Sequence, residues 1–345
     1  MDRAKQDILI LANSGSKIIK FVDRTFNANK KRAFALWQFI IENYGTKIPK
    51  DVCFHFEIAG DLLSDEDFAL LEKSPKGFIQ FEIGIQSFSA KTLTAINRKT
   101  NTDILKNNIQ QLCKMNNIHI HIDLIAGLPF EDYNTFRDGF NLAFSLGADM
   151  LQLGFLKLLH GADMRENAKK YPCEFSNNPP YEVCSTPYLA HRDLKMLHFT
   201  ENALDRFVGS GRFPRTNELI FEVQKRNPFD TLTELGMFTG SESKPLNEYV
   251  NMLYQFFGAD SKTLRDALIS DIATSVKSCV LPTSLIIPDK NLKTFKKLLE
   301  ENPQTRRKSG VMRNVFWLYG ENKGAYVDYD EQIDGKYILH KIPNE

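Results

Sequence analysis

The sequence contains few cysteines, and none of them lie close together. Even the nearest pair, Cys173 and Cys184, has ten residues between its members, two of them prolines. This spacing matches no zinc or iron–sulfur signature, so we expect no metal site among the cysteines. An odd number of dispersed cysteines without an export signal indicates reduced thiols and predicts a cytoplasmic protein. The five are Cys53, Cys113, Cys173, Cys184 and Cys279.

Long apolar runs and an excess of either charge are also absent. No stretch approaches the roughly 20 apolar residues of a membrane-spanning helix, and the opening MDRAKQDILI lacks the apolar core of a signal peptide. The 44 basic and 43 acidic residues give a net charge of +1. We therefore expect no membrane and no nucleic acid as partners, and a small organic molecule as the ligand.

Polar residues interrupt the strand-like segments in a regular way. FIQFEIGIQSF (78–88) and IHIHIDLIAGLPFE (118–131) alternate apolar with polar residues, and CFHFEIAG (53–60) repeats the pattern. Side chains on a strand switch faces at every residue, so each strand has one apolar and one polar face. Parallel strands are usually apolar on both faces. The pattern therefore favours a ligand cavity on the polar face, with a solvated sheet face as the alternative.

Five strand patterns alternate with helical patterns over the first 160 residues. This order predicts an α/β fold, a partial (β/α) barrel resembling a TIM barrel. Its parallel strands should follow one another in sequence order, with the strand of residues 17–22 at the open edge. A barrel of this kind begins with a strand, whereas this chain begins with a helix, so either the chain is cut inside a barrel or the fold starts with a helix. The predicted strands are 17–22, 52–58, 78–86, 118–125 and 149–153, and the helices are 2–14, 30–44, 64–72, 90–97, 103–116 and 134–146.

The remaining residues divide into a bridge and a second region. Residues 161–190 are rich in proline and asparagine, which predicts a loop-rich bridge after the 1–160 barrel. Residues 191–345 predict a mainly helical domain with a short β segment at its end. The predicted helices there are 191–207, 216–225, 231–239, 245–258, 261–278 and 289–301.

Two motifs resemble those of a known family. FEIGIQSFSAKTLTAINRKTN followed by HIDLIAGLPFED resembles the middle and later strands of radical SAM enzymes. Within that superfamily, the branch with oxygen-independent coproporphyrinogen III oxidase and the cobalamin-binding proteins is the most similar. The resemblance covers residues 1–160, and the region from about 190 resembles a domain that follows some cobalamin-binding barrels. It implies S-adenosylmethionine, a [4Fe–4S] cluster and, in an upstream domain, cobalamin, acting on an organic substrate.

The resemblance also implies a cofactor site at the carboxyl ends of the strands. Gln86 would contact the ribose or methionine part of S-adenosylmethionine, and Arg98 would bind its carboxylate. Asp123 would accept hydrogen bonds from the ribose hydroxyls. Gly127 and Pro129 would let the backbone pass close to the adenine.

Other polar residues of the same motifs have implied or open roles. Asp23 and Thr25 occupy the position where the family holds the methionine amino group. The inward polar residues of the strands are substrate-side candidates, although a satisfied core position is the alternative for each histidine. These candidates are His55, Glu57, Glu82 and His121, with His119 beside them, and Glu131 is interpreted only as the start of a helix.

The chain departs from the family at its defining motif. Radical SAM enzymes bind their cluster with three cysteines spaced CxxxCxxC after the first barrel strand, and the sequence has no such motif. If the chain is cut inside the barrel, after the cluster loop, both the absent CxxxCxxC motif and the missing first strand are explained. We therefore expect the chain itself to hold no cofactor and to be inactive, while a full-length parent would be a radical SAM enzyme.

Two other functions are compatible with the sequence. A barrel without a cluster would be a non-catalytic module that binds a nucleotide or S-adenosylmethionine. A lyase or aldolase would need a positioned lysine or paired carboxylates, at which Glu57, Glu82 and Asp123 only hint. The reading frame upstream of Met1 separates enzyme from module, because a cysteine-rich strand there supports the enzyme. An unpaired edge strand also predicts a contact between two copies.

Overall fold

The computed structural model describes residues 1–167, 169–277, 280–287, 290–333 and 335–342, so Cys279 lies outside the described residues. The chain divides into two compact units, Met1–Leu204 and Asp205–Glu345. The boundaries at 160 and 190 rest on sequence pattern and stay predictions. Within the described ranges, no helix is long and apolar enough to cross a membrane.

Strands and helices alternate along the first unit. All five predicted strands and all six predicted helices are present, with ends that differ by a few residues at most. The elements are α1 Asp2–Ala12, β1 Ile18–Lys20, α2 Lys30–Glu42, β2 Cys53–Glu57, α3 Asp65–Leu71, β3 Ile79–Gln86, α4 Ala90–Ala95, α5 Thr102–Met115, β4 His119–Ala126, α6 Tyr133–Ser145 and β5 Met150–Phe155.

The five strands form one parallel sheet in the order β1-β2-β3-β4-β5. This confirms the predicted fold, a partial TIM-like barrel with its strands in sequence order and β1 at one edge. Strands joined through helices must run parallel, since the chain returns to the same end of the sheet before each new strand. The carboxyl ends of all five strands therefore lie at one edge, where the predicted site residues are.

Apolar side chains of the strands form the core between the sheet and its helices. Phe56 is fully buried, and its ring lies 4.6 Å from that of Phe21 and 4.5 Å from that of Phe26. The rings of Trp37 and Phe81 complete this cluster, each 6.2 Å from Phe56. These aromatic rings lie on the face of the sheet that packs against the helices. The polar side chains of the strands lie on the opposite face.

The bridge after β5 contains short regular elements, and α8 follows it. They are α7 Asp163–Glu166, β6 Glu174–Phe175, β7 Val183–Ser185 and α8 His191–Ala203. β6 and β7 pair as an antiparallel ribbon. The bridge also returns to the sheet, because Val183 donates its backbone N–H to Leu156 and Leu158 donates to Tyr181, each at 2.9 Å. The sequence pattern predicted only a loop-rich excursion here.

The second unit is mainly helical and ends in an antiparallel sheet with the order β10-β9-β8, as predicted. Two of the helical segments include π-helical turns, Leu204–Gly209 after α8 and Glu218–Val223. The elements are α9 Pro214–Asn217, α10 Pro228–Thr239, α11 Leu246–Phe257, α12 Lys262–Ser275, α13 Lys290–Glu301, β8 Arg313–Leu318, β9 Lys323–Ile333 and β10 Lys336–Ile342.

Helix α13 packs on the terminal sheet through a small apolar cluster. Phe295 and Leu299 of α13 are buried against Trp317 and Tyr326 of the sheet. Gly324 on β9 makes this contact close, since a Cβ at that position would lie 2.4 Å from the Phe295 ring. The absence of a side chain therefore allows the helix to approach the sheet.

Replacing Gly324 by alanine should lower the free energy of unfolding of the second unit by about 1–3 kcal/mol, the usual effect of overpacking. The added methyl group must displace the Phe295 ring or bend β9. Chemical denaturation followed by circular dichroism measures the effect. Gly310→Ala is not a suitable control, because Gly310 has a φ of +80° and would itself be strained. Ser309→Ala, at an exposed residue beside it, is expected to change little, and equal losses in the two variants would contradict the packing argument.

Candidate active site

The polar face of the sheet brings together residues from four strands. The register pairs Lys20 with His55, and it places Glu57, Glu82 and His121 side by side on β2, β3 and β4. Neighbouring strands lie about 4.8 Å apart, so side chains in such a row can contact one another. The alternation in the sequence predicted this shared face, and the parallel register determines which residues meet on it.

Glu82 lies at the centre of a hydrogen-bonded group. One of its oxygens, Oε2, accepts hydrogen bonds from Lys20 Nζ at 2.9 Å and contacts His55 Nε2 at 2.9 Å. Burial would raise the pKa of Glu82, but the ammonium of Lys20 and the two nearby histidines lower it overall. Burial and the charge of Lys20 lower the pKa of His55. Near neutral pH the group therefore contains an ionised Glu82 and a neutral imidazole.

His121 and Asp123 lie next to each other on β4, and both are incompletely satisfied. His121 Nε2 is 3.0 Å from Asp123 Oδ1, although the geometry is not that of a hydrogen bond. Among the described residues neither buried atom has a hydrogen-bond partner. Burial would lower the pKa of His121, but Asp123, Glu82 and Gln152 raise it overall. Buried polar atoms without partners are costly, so the pair is well suited to a polar ligand.

Glu57 is the least stabilised carboxylate of this face. Burial raises its pKa, and the negative charges of Glu82 and Asp123 add to this effect, while Arg24 and Lys20 oppose it. Lys20 is also bonded to Glu82. A carboxyl group with a raised pKa can hold a proton closer to neutral pH than an ordinary glutamate, which makes Glu57 a candidate proton donor or acceptor.

Gln86 and Arg98 meet above Gly84 at the carboxyl end of β3. Gln86 adopts a positive φ of 69°, and a Cβ on Gly84 would lie 2.2 Å from its Nε2, so a side chain at Gly84 would displace this amide. Arg98 donates a hydrogen bond from one terminal nitrogen to the Gly84 carbonyl, while its buried Nε has no partner among the described residues. Burial lowers the pKa of Arg98, against the opposing charges of Asp61 and Glu57.

Gly127 and Pro129 line a cavity that was not predicted from the sequence. Gly127 has a φ of +91°, and a Cβ there would lie 2.6 Å from Cγ1 of Val183 in the bridge. The bridge therefore packs directly on the end of β4. The cavity is lined by these two residues together with Leu156, Met164, Tyr171 and Tyr188. The proline-rich composition of the bridge did not indicate that its aromatic residues lie near the carboxyl ends of the strands.

Asp23 and Thr25 lie in the loop after β1, where their polar groups have partners within the chain. Asp23 Oδ1 accepts from Arg32 at 2.7 Å, and the Thr25 hydroxyl donates to the Arg24 carbonyl at 2.9 Å. The residue that holds this loop is Asn27, which exchanges two 2.9 Å hydrogen bonds with the backbone of Ala59. Asn27 was not among the residues predicted from the sequence, although Asn27 directly follows the VDRTF segment.

The described cysteines do not form a metal site. Cys53, Cys113, Cys173 and Cys184 are free and partly buried, and no group of three potential ligands is found among the described residues. Burial raises the pKa of Cys53, and burial with the charge of Asp149 raises the pKa of Cys113 to about 11. Thiols that stay protonated are poor metal ligands.

Comparison with protein families now identifies the first unit. Residues 1–143 match the model of the radical SAM superfamily. They are a radical SAM domain. Residues 169–315 match a second model, described as a protein of unknown function and named DUF4080. The predicted resemblance to a radical SAM protein with an associated C-terminal domain is thereby confirmed. No curated protein matches the sequence.

Solved structures related to the radical SAM domain share little sequence with it. The radical S-adenosylmethionine methyltransferase TsrM from Kitasatospora setae, with cobalamin and a [4Fe–4S] cluster bound, is 15% identical, with a TM-score of 0.39. The match covers 44% of this chain and 30% of TsrM. Coproporphyrinogen III oxidase (HemN) from Escherichia coli, a radical SAM enzyme, is 20% identical, with a TM-score of 0.38 over 46% of this chain and 37% of HemN. The chain thus spans well under half the length of either protein.

Proposed function

We propose that this chain provides the cofactor-side and substrate-side walls of a radical SAM enzyme that acts on an organic substrate. Bound S-adenosylmethionine, with Arg98 and Asp123 as its proposed ligands, would supply radical chemistry, either by one-electron reductive cleavage or in a cobalamin-dependent reaction. One observation carries the proposal. Arg98 Nε, a donor on the segment after α4, and Asp123 Oδ1, an acceptor near the carboxyl end of β4, are both buried and have no hydrogen-bond partner among the described residues, although Asp123 Oδ1 lies 3.0 Å from His121 Nε2.

The residues of the radical SAM domain fit S-adenosylmethionine by their chemistry. Arg98 would hold the carboxylate of the methionine part, and Asp123 would accept hydrogen bonds from the ribose hydroxyls. Gln86 would orient the ligand between them. Gly127 and Pro129 would let the backbone pass close to the adenine. Asp23 and Thr25 remain candidates for the amino group, and Asp23 would have to share its carboxylate with Arg32.

A [4Fe–4S] cluster does not fit the cysteines of this chain. The sequence has no CxxxCxxC motif, and no group of three potential metal ligands is found among the described residues. We therefore assign no residue of this chain to the cluster or to cobalamin, and derive no step through either. The part that these residues would take is to bind, orient and shield the ligand.

On the substrate side, the polar face could hold and transfer protons. Glu57 would exchange a proton with the substrate, and His121 would donate one from Nε2, which makes no hydrogen bond among the described residues. Lys20 and His55 would keep Glu82 ionised and in place. These roles make His55, Glu57 and Glu82 positions at which substitutions should alter the reaction with little effect on the binding of S-adenosylmethionine, whereas a His121 substitution should affect both, because His121 Nε2 lies 3.0 Å from Asp123 Oδ1.

The absence of the cluster motif favours a second candidate, a module that binds S-adenosylmethionine or another nucleotide without catalysis. Anaerobic reconstitution with iron and sulfide, followed by iron analysis and visible absorption, tests the two. A stoichiometric cluster ligated by Cys53, Cys113 or Cys173 would contradict our assignment. Nucleotide binding without a cluster in the protein translated from its complete reading frame would support the module.

Replacing Arg98 by alanine should weaken the binding of S-adenosylmethionine by about 1.5–3 kcal/mol, the range for a lost hydrogen bond to a charged group. Asp123→Asn should have a smaller effect, since the amide keeps one acceptor oxygen. Equilibrium binding measures both, and release of 5′-deoxyadenosine under anaerobic conditions measures them in a protein that holds the cluster. Lys99→Ala is the matched control, because Lys99 is an exposed cation beside Arg98 on the same depression. Unchanged binding in Arg98→Ala would show that the cofactor site is misplaced.

The edge strand β1 should also mediate contact between two copies of the chain. Ile18 is 63% exposed and Val22 is 92% exposed, so this edge presents apolar side chains as well as backbone groups. Replacing Ile18 and Val22 by lysine should shift a concentration-dependent dimer to monomer in light scattering. A wild-type chain that is monomeric at all concentrations tested would refute this expectation.

A further inference from the structure

A buried hydrogen bond joins the two loops that lead out of the central strands. Ser87 follows β3 and Glu131 follows β4, and each residue is only 2% exposed. The Ser87 hydroxyl donates to Glu131 Oε1 across 44 positions of sequence and accepts a hydrogen bond from the backbone N–H of Ser89 at 3.0 Å. The other oxygen, Glu131 Oε2, is buried and has no partner among the described residues.

Both loops have backbone conformations that need support. Gln86 has a φ of 69° and Phe130 a φ of 64°, and such a left-handed conformation is strained in residues other than glycine. Each loop then starts a helix within three residues. Ser89 accepts from the N–H of Thr92 at the start of α4, and Asp132 caps α6 in the same way. Ser87 therefore lies between the strained residue Gln86 and the capped helix α4. In the same way, Glu131 lies between the strained residue Phe130 and the capped helix α6.

Stability alone does not explain a glutamate at this position. A buried carboxylate with one hydrogen bond is costly, and an apolar residue of similar size is usually as stable or more so. Burial and the charge of Asp132 raise the pKa of Glu131 to about 7, against the effect of the Ser87 hydroxyl. The helix start is already satisfied by Asp132, so Glu131 is not needed as a cap. What the side chain supplies is a link between the two loops.

We propose that Glu131 is a positioning residue, which acts through Ser87 to hold the loop of Gln86 in a fixed place against the loop of Gly127 and Pro129. The two loops would then present their ligand-binding groups with a constant spacing. The ligand itself rests on the function proposed above, in which Gln86, Gly127 and Pro129 contact S-adenosylmethionine. The link between the loops is a property of the chain alone and can be measured without that ligand.

The first experiment measures hydrogen exchange in peptides that cover 86–89 and 127–131. Glu131→Ala and Ser87→Ala should each increase exchange in both loops by about tenfold, as the loss of one strong hydrogen bond would. The double variant should add little to either single change, because both remove the same link. Glu131→Gln, which keeps an acceptor oxygen for Ser87, should restore slow exchange. Ser145→Ala is the control, since Ser145 is exposed at the end of α6 and bonds only within its own helix.

Two outcomes would overturn the proposal. If Ser87→Ala increases exchange in its own loop and leaves 127–131 unchanged, the loops are not linked. If exchange rises equally throughout residues 1–204 and Glu131→Gln behaves like Glu131→Ala, the residue contributes only general stability. Ser87→Ala removes no buried charge, so it keeps the test decisive even if Glu131→Ala does not fold.

The second experiment uses S-adenosylmethionine as the probe in equilibrium binding. Ser87→Ala and Glu131→Ala should weaken binding by about tenfold, and Glu131→Gln should lie within a few fold of the wild type. Weakened binding in Arg98→Ala together with unchanged binding and exchange in Ser87→Ala would leave the proposed function standing and refute the role of Glu131. Linked exchange together with wild-type binding of S-adenosylmethionine that none of Arg98→Ala, Ser87→Ala and Glu131→Ala changes would support the link and refute the proposed ligand site.

Discussion

Replacing Phe56 by alanine is expected to lower the free energy of unfolding of the radical SAM domain by about 3–5 kcal/mol. Phe56 is fully buried on the interior strand β2, and the rings of Phe21 and Phe26 lie within 5 Å of it. Removing the ring takes away its transfer free energy and leaves a cavity that the rigid strands cannot close. A loss of this size is a large part of the stability of an ordinary domain.

Urea unfolding followed by tryptophan fluorescence measures this change. Trp37 lies beside Phe56, whereas Trp317 belongs to the second unit, so a Trp317→Phe background limits the signal to the domain of interest. Ile104→Ala, at an exposed residue of helix α5, should change the free energy of unfolding by less than about 0.5 kcal/mol. Similar losses in the two variants would mean that the ring cluster is not the core of this domain.

The stability of the wild-type chain should fall as pH rises from about 4.5 to 7, by about 3 kcal/mol from Glu131 alone. Burial raises the pKa of Glu131 from 4.5 to about 7 in the folded state. Between these values the folded protein keeps a proton that the unfolded chain has lost. Because the folded state then binds more protons than the unfolded state, raising the pH favours unfolding until Glu131 is ionised in both.

Glu131→Gln removes the titrating carboxyl group. It therefore tests the sign of the predicted dependence of stability on pH. The difference in free energy of unfolding between the variant and the wild type should change by about 3 kcal/mol in favour of the variant between pH 4.5 and 8. Comparing differences cancels the contributions of other titrating groups to a first approximation. Ser145→Ala provides a control, because it removes no titratable group and should give a difference that is nearly constant with pH. A constant difference for Glu131→Gln, or one of opposite sign, would refute the assignment.

Alternation of apolar and polar residues was sufficient to predict the sheet and both of its faces. In β2, Phe54 and Phe56 are fully buried, while His55 and Glu57 lie on the other face, as the sequence indicated. This succeeds because the direction of a side chain on a strand depends only on its position along the strand. The same reasoning recovered the order of the strands, since helical connections make them parallel.

Partners within the site were not predictable in the same way. The bond between Lys20 and Glu82 crosses 62 positions of sequence, and it exists because β1 and β3 both flank β2 in one register. Glu131 was interpreted from sequence as a helix start, but Asp132 is the cap and Glu131 is buried against Ser87. A glutamate before a helix has the same local sequence whether its side chain points outward or inward.

The sequence by itself determined the alternation of strands and helices, the polar face of the sheet and the resemblance of its two motifs to a radical SAM domain. These are local properties, decided by the period of the pattern and by residue types at short spacing. Only the tertiary structure decided that the bridge covers Gly127 through Val183, that Asn27 ties the first loop to Ala59, and that Ser87 holds Glu131. Such contacts depend on the packing of distant segments, because short-range pattern carries no information about which loops meet in space.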